Sequence, residues 1–383
     1  MSADTKNLLI AGGGTGGHVF PAMAIAREWL RRGAAGATEE TREGVHKGTR
    51  KGAREGERSV VIVGTQNGLE AKLVPQAGLP FETIRVAGLK GISGTKLVRN
   101  AAMLPAGLWD SARIMERNRF TAAFGVGGYA SGPMMLLAAI HSVPSVIFEP
   151  NVEPGFTNRV LADMATRVAV AYPETAARLG RKAVVTGCPV RKEFFAVPRK
   201  EHRAPFTLLI TGGSRGALPI NRAVVDSLDE FAARKNHLFI VHQTGERDYN
   251  AVRVAYARRE LKAEVLPFIE NMAERFAQAD LIVCRSGAIT VAEVSAAGRA
   301  AIFIPFGAAT DAHQACNAEA MQQAGAGRLL PQPELTPGRL ANEVFSLLDQ
   351  PRRISDMEEN ARSLARPLAV EDIVDLLEEV SRR

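Results

Sequence analysis

The run Leu8-Leu9-Ile10-Ala11 passes directly into Gly12-Gly13-Gly14-Thr15-Gly16-Gly17, and His18 follows at the head of a helical pattern that lasts to Arg32. An unbroken apolar run bounded by glycine reads as a short buried strand. Glycine takes φ > 0 without strain and lets a backbone come close to a ligand. Pro21 reads as an aid to starting the helix. A helix N-terminus offers unpaired N–H groups and the positive end of a dipole. Such a unit suits a phosphate, a diphosphate or a developing oxyanion. A tight strand-to-helix turn with no ligand satisfies the same residues. His18 adds a titratable group directly after the glycines.

Gly12, Gly14 and Gly17 also satisfy the GxGxxG spacing of dinucleotide sites. Those sites place an acidic residue at the end of the second strand. Here the second strand, Ser59-Val60-Val61-Ile62-Val63, ends in Gly64-Thr65-Gln66-Asn67 with no acid, which argues against NAD.

The rest of the first half continues the alternation of strand and helix. Leu69 to Ala77 reads as a short helix, Gly88-Leu89-Lys90-Gly91 as a loop, and Lys96 to Arg119 as mostly helical with a kink at Pro105. Ala122 to Val126 is a buried strand ending in a second glycine turn, Gly127-Gly128-Tyr129-Ala130-Ser131-Gly132-Pro133. Ser145-Val146-Ile147-Phe148 is a further strand, with Glu149-Pro150-Asn151 at its C-terminal end, where open α/β sheets bind ligands. One stretch breaks the pattern. Gly33 to Arg58 is rich in Gly, Ala, Glu, Lys and Arg and almost lacks large apolar residues. It reads as a flexible insert, or alternatively as a loop that binds a membrane or a partner.

The second half repeats the design. Phe206 to Ile210 leads into Thr211-Gly212-Gly213-Ser214-Arg215-Gly216-Ala217, and strands recur near Phe239–Val241, Val265–Leu266, Leu281–Val283 and Ala301–Ile304. Two such halves in tandem predict an α/β chain of two Rossmann-like domains facing across a cleft. The junction lies at Gly187-Cys188-Pro189-Val190-Arg191, dividing residues 1–187 from 188–364.

A length of 383 residues fits two or three domains, and an apolar share of 46% fits full cores. The longest apolar run, Pro133 to Ile140, is too short to span a bilayer, and Asp4 and Lys6 argue against a signal peptide. Cys188, Cys284 and Cys316 lack a ligand spacing and read as free thiols in a reducing compartment, the cytoplasm. The net charge of +7 favours acidic partners, while 6% aromatics and no recognisable motif exclude nucleic acid.

The stretch from Gly12 to Ala26 resembles the first glycine-rich loop of the MurG family. These glycosyltransferases move N-acetylglucosamine (GlcNAc) from UDP-GlcNAc onto the lipid-linked muramyl-pentapeptide precursor of peptidoglycan. Further motifs extend the resemblance over nearly the whole chain apart from the insert. It implies the two-domain GT-B fold, with the last helix (365–383) crossing back to the first domain. It implies that Cys284-Arg285-Ser286-Gly287-Ala288-Ile289-Thr290-Val291-Ala292-Glu293 holds the nucleotide, Ala288 to Ala292 lying along it and Glu293 taking the ribose diol. Read on periodicity alone, Glu293 is an ordinary acid near a helix start.

By the same resemblance Thr15, Gly16 and Gly17 line the substrate site, Ser214 contacts the donor, and Ile269 meets uracil through its backbone. Asn151 reaches the GlcNAc moiety and Arg191 the donor phosphate or sugar. Gln314 grips sugar hydroxyls. Departures stand at Pro150, at Cys188, and at Ala312 and His313, where the family has Gln, Asn, Arg and Gln.

The reaction implied is inverting displacement at the anomeric carbon, which needs one base for the acceptor proton. His18 fits, being largely neutral at pH 7; a structural helix-capping role is its alternative, and Glu149 is the other candidate base. With no Asp-x-Asp motif and no ligand spacing among seven histidines, no metal or other cofactor is expected. Helix N-termini and basic side chains then meet the leaving-group charge. The lipid-linked acceptor implies a peripheral site at the cytoplasmic face of the inner membrane, an anionic surface, and contact with other cell-wall synthesis proteins. Leu69, Leu73, Val74 and Leu79 beside Lys72, and Leu97, Val98 and Trp109 beside Lys96 and Arg99, fit that surface, though core positions explain them equally. A nucleotide-sugar epimerase on the same fold, an NAD(P)-dependent oxidoreductase and a binding module are the rival readings.

Overall fold

The computed structural model describes residues 6–14, 16–40, 58–87, 100, 102–307 and 312–382. The chain divides into two compact units, Met1–Pro189 with Leu368–Arg383, and Val190–Pro367. The first unit holds β1 (Lys6–Gly12), β2 (Arg58–Gly64), β3 (Phe81–Thr83), β4 (Ala122–Gly127), β5 (Ser145–Glu149), β6 (Arg167–Val170) and β7 (Ala183–Val185), in the order β3-β2-β1-β4-β5-β6-β7. The second holds β8 (Phe206–Thr211), β9 (Leu238–Gln243), β10 (Ala263–Leu266), β11 (Leu281–Cys284), β12 (Ala301–Phe303) and β13 (Arg328–Leu329), in the order β10-β9-β8-β11-β12-β13. All pairings are parallel.

Both sheets follow from composition. Leu8 to Ala11, Leu208 to Ile210 and Leu281 to Cys284 are wholly buried, as strands covered by helices on both faces must be. In each sheet the order of winding reverses beside the first strand, between β1 and β4 and between β8 and β11. A crevice forms outside the strand ends at such a reversal, and ligands bind there. The glycine turns after β1, β4 and β8 all lie at these two points.

Two readings need correction. The first helix, α1 (Gly16–Glu40), begins ahead of Pro21 and carries that proline inside it. It also runs past Gly33, so Gly33 to Glu40 is helical rather than part of a flexible insert. Ala-rich sequence costs little to add to a helix already nucleated. Residues 41–57 lie outside the described residues, as do the loop Gly88–Gly91 and the segment 92–99. Strands β3, β6, β7 and β13 are two to four residues long, short pieces completed by the neighbour they pair with.

The C-terminal helix Ala369–Ser381 belongs to the first unit. Ile373, Val374, Leu377 and Val380 form its buried stripe. Glu378 Oε1 accepts from Arg32 of α1 at 3.1 Å and from Arg58 of β2 at 2.8 Å, which fixes where the helix lands.

The second unit contains a buried ionic cluster. His202 Nδ1 lies 2.8 Å from Asp280 Oδ1, and its Nε2 lies 3.2 Å from Glu358 Oε2 as an ion pair without hydrogen-bond alignment. Lys200 Nζ donates to Asp280 at 2.7 Å. Arg299, fully buried, pairs with Glu358 and donates to the carbonyls of Pro198, Phe276 and Ala277. Burial opposes a charged imidazole, but the two carboxylates outweigh it and raise His202 to about 9. The cluster ties the segment after Val190 to β11 and the helix Pro351–Ser363. Removing one member of such a cluster leaves an uncompensated buried charge, so His202→Ala is expected to cost about 3 kcal/mol. The imidazole titrates near 9 folded and 6.5 unfolded, so its stabilisation is complete below 6.5 and disappears as pH rises through 9. Calorimetry across that window should show the wild type losing melting temperature more steeply than His202→Ala; parallel curves would refute the charged cluster.

Candidate functional site

The first unit's site is built around close backbone approach. A register shift between β1 and β4 sets Ala11 opposite Gly125 but Gly12 opposite Gly127. This brings two glycine turns against each other. A Cβ at Gly128 would lie 2.2 Å from the Gly13 carbonyl oxygen, and one at Gly12 would lie 2.7 Å from that of Gly127. Gly14, Gly127 and Gly128 have φ of 99°, 94° and 82°, conformations costly for any other residue. The resulting platform carries His18 in the first turns of α1. The imidazole lies against Gly127, where an added Cβ would come within 3.0 Å of its Cδ2 and Nε2. Burial lowers its pKa from 6.5, and the Glu70 carboxylate acts in the opposite direction.

Glu70 is the residue sequence reasoning passed over. It is 1% exposed at the start of α2 (Glu70–Gln76). Its carboxylate turns back toward β2, accepting from Thr65 N and Oγ1 at 2.9 Å each and from Gly14 N at 2.7 Å. An acid does therefore stand near the end of the second strand, but it serves the glycine turn. Only the short spacing from Thr65 to Glu70 hinted at it.

At the end of β5, Glu149 is 1% exposed. Oε1 accepts from Asn151 N at 3.0 Å and Nδ2 at 2.9 Å, and Oε2 accepts from Gly155 N and Asn158 Nδ2, both at 2.9 Å. Glu149 thus shapes the loop that carries Asn151. Gly16 and Gly17 open α1, half-buried; Thr15 lies outside the described residues. Of the expected surface residues, Val74 and Leu79 are core, 0% and 8% exposed, because they fill the space beneath β2 and β3. Leu69 and Trp109 are exposed, and Leu104 and Leu108 join Trp109 on the helix Leu104–Arg117. Lys96, Leu97, Val98 and Arg99 lie outside the described residues.

The second unit's site lies where β8 and β11 end side by side. The third glycine turn needs its glycines: Gly213 and Gly216 have φ of 86° and 71°, and a Cβ at Gly216 would strike the Thr244 carbonyl. Ser214 and Arg215 stand exposed on it. Gln243, buried at the end of β9, donates to Thr211 Oγ1 and the Gly213 carbonyl and accepts from Ile269 N at 2.8 Å. One carboxamide therefore joins the glycine turn to the Ile269 segment, and the Ile269 N–H is committed to it. Arg285 is buried and donates to the carbonyls of Ile304 and Pro305 at 3.0 and 2.8 Å, so it braces the end of β12. Ser286 Oγ donates to the Gln314 carbonyl at 2.7 Å, and Gln314 Oε1 accepts from Phe306 N at 3.0 Å.

The helix Ala288–Ala297 points its N-terminus at this point of the sheet. The first amides of a helix lack intrahelical partners, and here they belong to Ala288, Ile289 and Thr290. Val291 turns its side chain into the core, 2% exposed, and Ala292 is half-buried. Glu293 follows, its Oε1 accepting from Arg191 at 3.2 Å. Burial raises its carboxyl to about 7 against the pull of Arg191. The pair sets an acceptor and a cation side by side next to free amides, as a sugar–diphosphate requires. Cys284 is buried and its thiol pKa raised, so it is unreactive. Among the described residues, no group of three or more His, Cys, Asp and Glu is placed to hold a metal ion.

Comparison with known proteins shows the family. The models of the glycosyltransferase family 28 N-terminal and C-terminal domains match residues 51–170 and 207–375. A transferase of Solibacter usitatus is 41% identical over 383 residues, covering 100% of this chain and 98% of its own, and one of Myxococcus xanthus is 40% identical over 372 residues, covering 96% and 91%. The crystal structure of Acinetobacter baumannii MurG superposes with a TM-score of 0.72 at 31% identity, covering 98% of this chain and 99% of that one. Fold and sites thus define a glycosyltransferase of family 28. Within that class the chain belongs to the MurG family, the UDP-N-acetylglucosamine–N-acetylmuramyl-(pentapeptide) pyrophosphoryl-undecaprenol N-acetylglucosamine transferases.

The glycine platform makes a separable prediction. Gly14→Ala meets open space and incurs only backbone strain, about 1–2 kcal/mol. Gly128→Ala adds overlap with Gly13 and is expected to cost about 3 kcal/mol or more. Denaturant titration of the two variants measures the difference.

Proposed function

We propose that this chain transfers GlcNAc from UDP-GlcNAc to undecaprenyl-pyrophosphoryl-MurNAc-pentapeptide, turning lipid I into lipid II, with inversion and without a metal ion. The observation that carries the reading is the 41% identity, across its full length, to a transferase of that name. Glycine turns at both sheet reversals supply the matching phosphate-handling geometry.

In this mechanism the second unit takes the donor. Amides of Ala288, Ile289 and Thr290, with Ser214 and Arg191, meet the diphosphate, and Glu293 accepts from the ribose hydroxyls. Uracil meets Ile269 through its carbonyl, since the N–H is held by Gln243. Gln314 and Asn151 take sugar hydroxyls. His18 is the base. Burial favours its neutral imidazole, the form that accepts the acceptor hydroxyl proton as that oxygen attacks the anomeric carbon and UDP departs. Glu149 spends both oxygens on its own loop, which favours a positioning role over that of base. Among the described residues no helix is long and apolar enough to cross a membrane. The exposed Leu104, Leu108 and Trp109, with Arg113 on the same helix, support peripheral contact with an anionic leaflet.

His18→Ala is expected to lower turnover about 100-fold or more while leaving UDP-GlcNAc affinity unchanged; near-normal turnover would sink the assignment. EDTA should leave the rate unaltered. Glu293 must be ionised to accept from ribose. With its carboxyl near 7, calorimetric affinity for uridine nucleotides should fall as pH drops through 7, and Glu293→Gln should abolish that slope.

A further inference from the structure

We propose that Glu70 is a positioning residue of the transfer reaction: its carboxylate fixes the first glycine turn and supplies the negative charge that steadies His18 once it holds the acceptor's proton. This rests on the reading of His18 as base.

Geometry carries the inference. A buried carboxylate is expensive unless its acceptors are satisfied. Glu70 is satisfied by the Gly14 amide, the Thr65 amide and the Thr65 hydroxyl. The chain has also been hollowed to admit it. A Cβ at Gly13, Gly64 or Gly68 would lie 2.2, 2.5 or 2.1 Å from Glu70 side-chain atoms. Glycines from two strand ends and the loop before α2 thus surround one acid. A side chain needed only to fill space there would be apolar, and an apolar one would strand the Gly14 and Thr65 donors.

The acid's reach links the end of β2 to the turn that carries the base. Bonding to Gly14 N orients the turn four residues ahead of His18. Among the described residues, the Glu70 carboxylate acts on His18 and opposes the effect of burial. Arg27 of α1 and Lys72 of α2 are turned to solvent. When His18 takes the hydroxyl proton, the new imidazolium lies in a partly buried setting where an opposite charge is worth more than in water. No atom passes to Glu70. The proton stays on the imidazole, the acceptor oxygen bonds to the anomeric carbon, and the electron pair of the broken bond leaves with UDP.

The test uses the full-length enzyme with UDP-GlcNAc and a lipid I analogue. Glu70→Gln keeps the size, removes the charge and turns an amide NH2 toward either the Gly14 or the Thr65 donors, so the pH profile, and not kcat alone, reads the charge. It is expected to lower kcat about 10- to 100-fold, leave the UDP-GlcNAc Kd unchanged, and move the acidic limb of the kcat/KM profile to lower pH. Glu70→Asp keeps the charge at shorter reach and should lower kcat with the limb at its wild-type position. A purely structural residue would lower kcat in both variants without moving either limb, and that result overturns the proposal. Should Glu70→Gln not fold, Glu70→Asn takes its place and is read against Glu70→Asp, which matches it in length and differs in charge: an acidic limb at lower pH in the Asn variant supports the proposal, and equal limbs overturn it. His18→Ala in parallel separates the two claims. If it keeps turnover, the base assignment fails; if it loses turnover while Glu70→Gln matches wild type, only the role of Glu70 fails.

Discussion

Close backbone contact at the reversal of the first sheet is the constraint on which the site in that unit depends. The register shift between β1 and β4 sets Gly12 against Gly127 and Gly128 against Gly13 with no room for a Cβ. Glycines there are required by contact between two turns 115 residues apart. The platform so formed decides where α1 begins and hence where His18 is held. The second unit solves the same problem by another route. Its glycine turn presses on the Thr244 carbonyl, and Gln243 ties it to the segment expected to meet the base.

The first and third glycine turns, the Asn151 loop and the end of β12 are each underpinned by a buried polar side chain. Glu70 sits beneath the first, Glu149 beneath the Asn151 loop, Gln243 beneath the third, and Arg285 beneath the end of β12. Loops at strand ends expose main-chain donors and acceptors that a ligand satisfies only when bound. Burying one well-connected polar group per loop fixes its shape in advance, so binding need not spend free energy on ordering it.

A MurG-family reading assigns the two sheets different duties. Free amides, a cation and a carboxylate in the second unit suit a nucleoside diphosphate sugar. A half-buried imidazole on a glycine platform in the first suits proton removal from an incoming hydroxyl. Both duties need charge held in a dry setting. Burial therefore moves the two groups in opposite senses, His18 toward neutrality by lowering its pKa and Glu293 toward neutrality by raising it to about 7.

Strand, glycine turn and helix were legible because each is written in consecutive residues. Apolar runs such as Leu8–Ala11 and Phe206–Ile210 announce buried parallel strands, and their repetition announces two units. The candidate residues were legible where they sit on those turns. What stayed hidden depends on partners far along the chain. Glu70 meets Gly14 across 56 residues, and His202 meets Asp280 across 78. The helical run through Gly33 to Glu40 was hidden for another reason, since low hydrophobicity does not reveal whether an existing helix continues. Val74 and Leu79 fitted surface and core equally, because an apolar side chain beside a lysine reads the same whether its helix face turns in or out. Local chemistry thus determined the elements, the turns and the kind of ligand they suit. Only the tertiary structure decided which acids are buried, which amides they hold and which histidine stays neutral, because those outcomes are set by desolvation and distance between residues the sequence keeps apart.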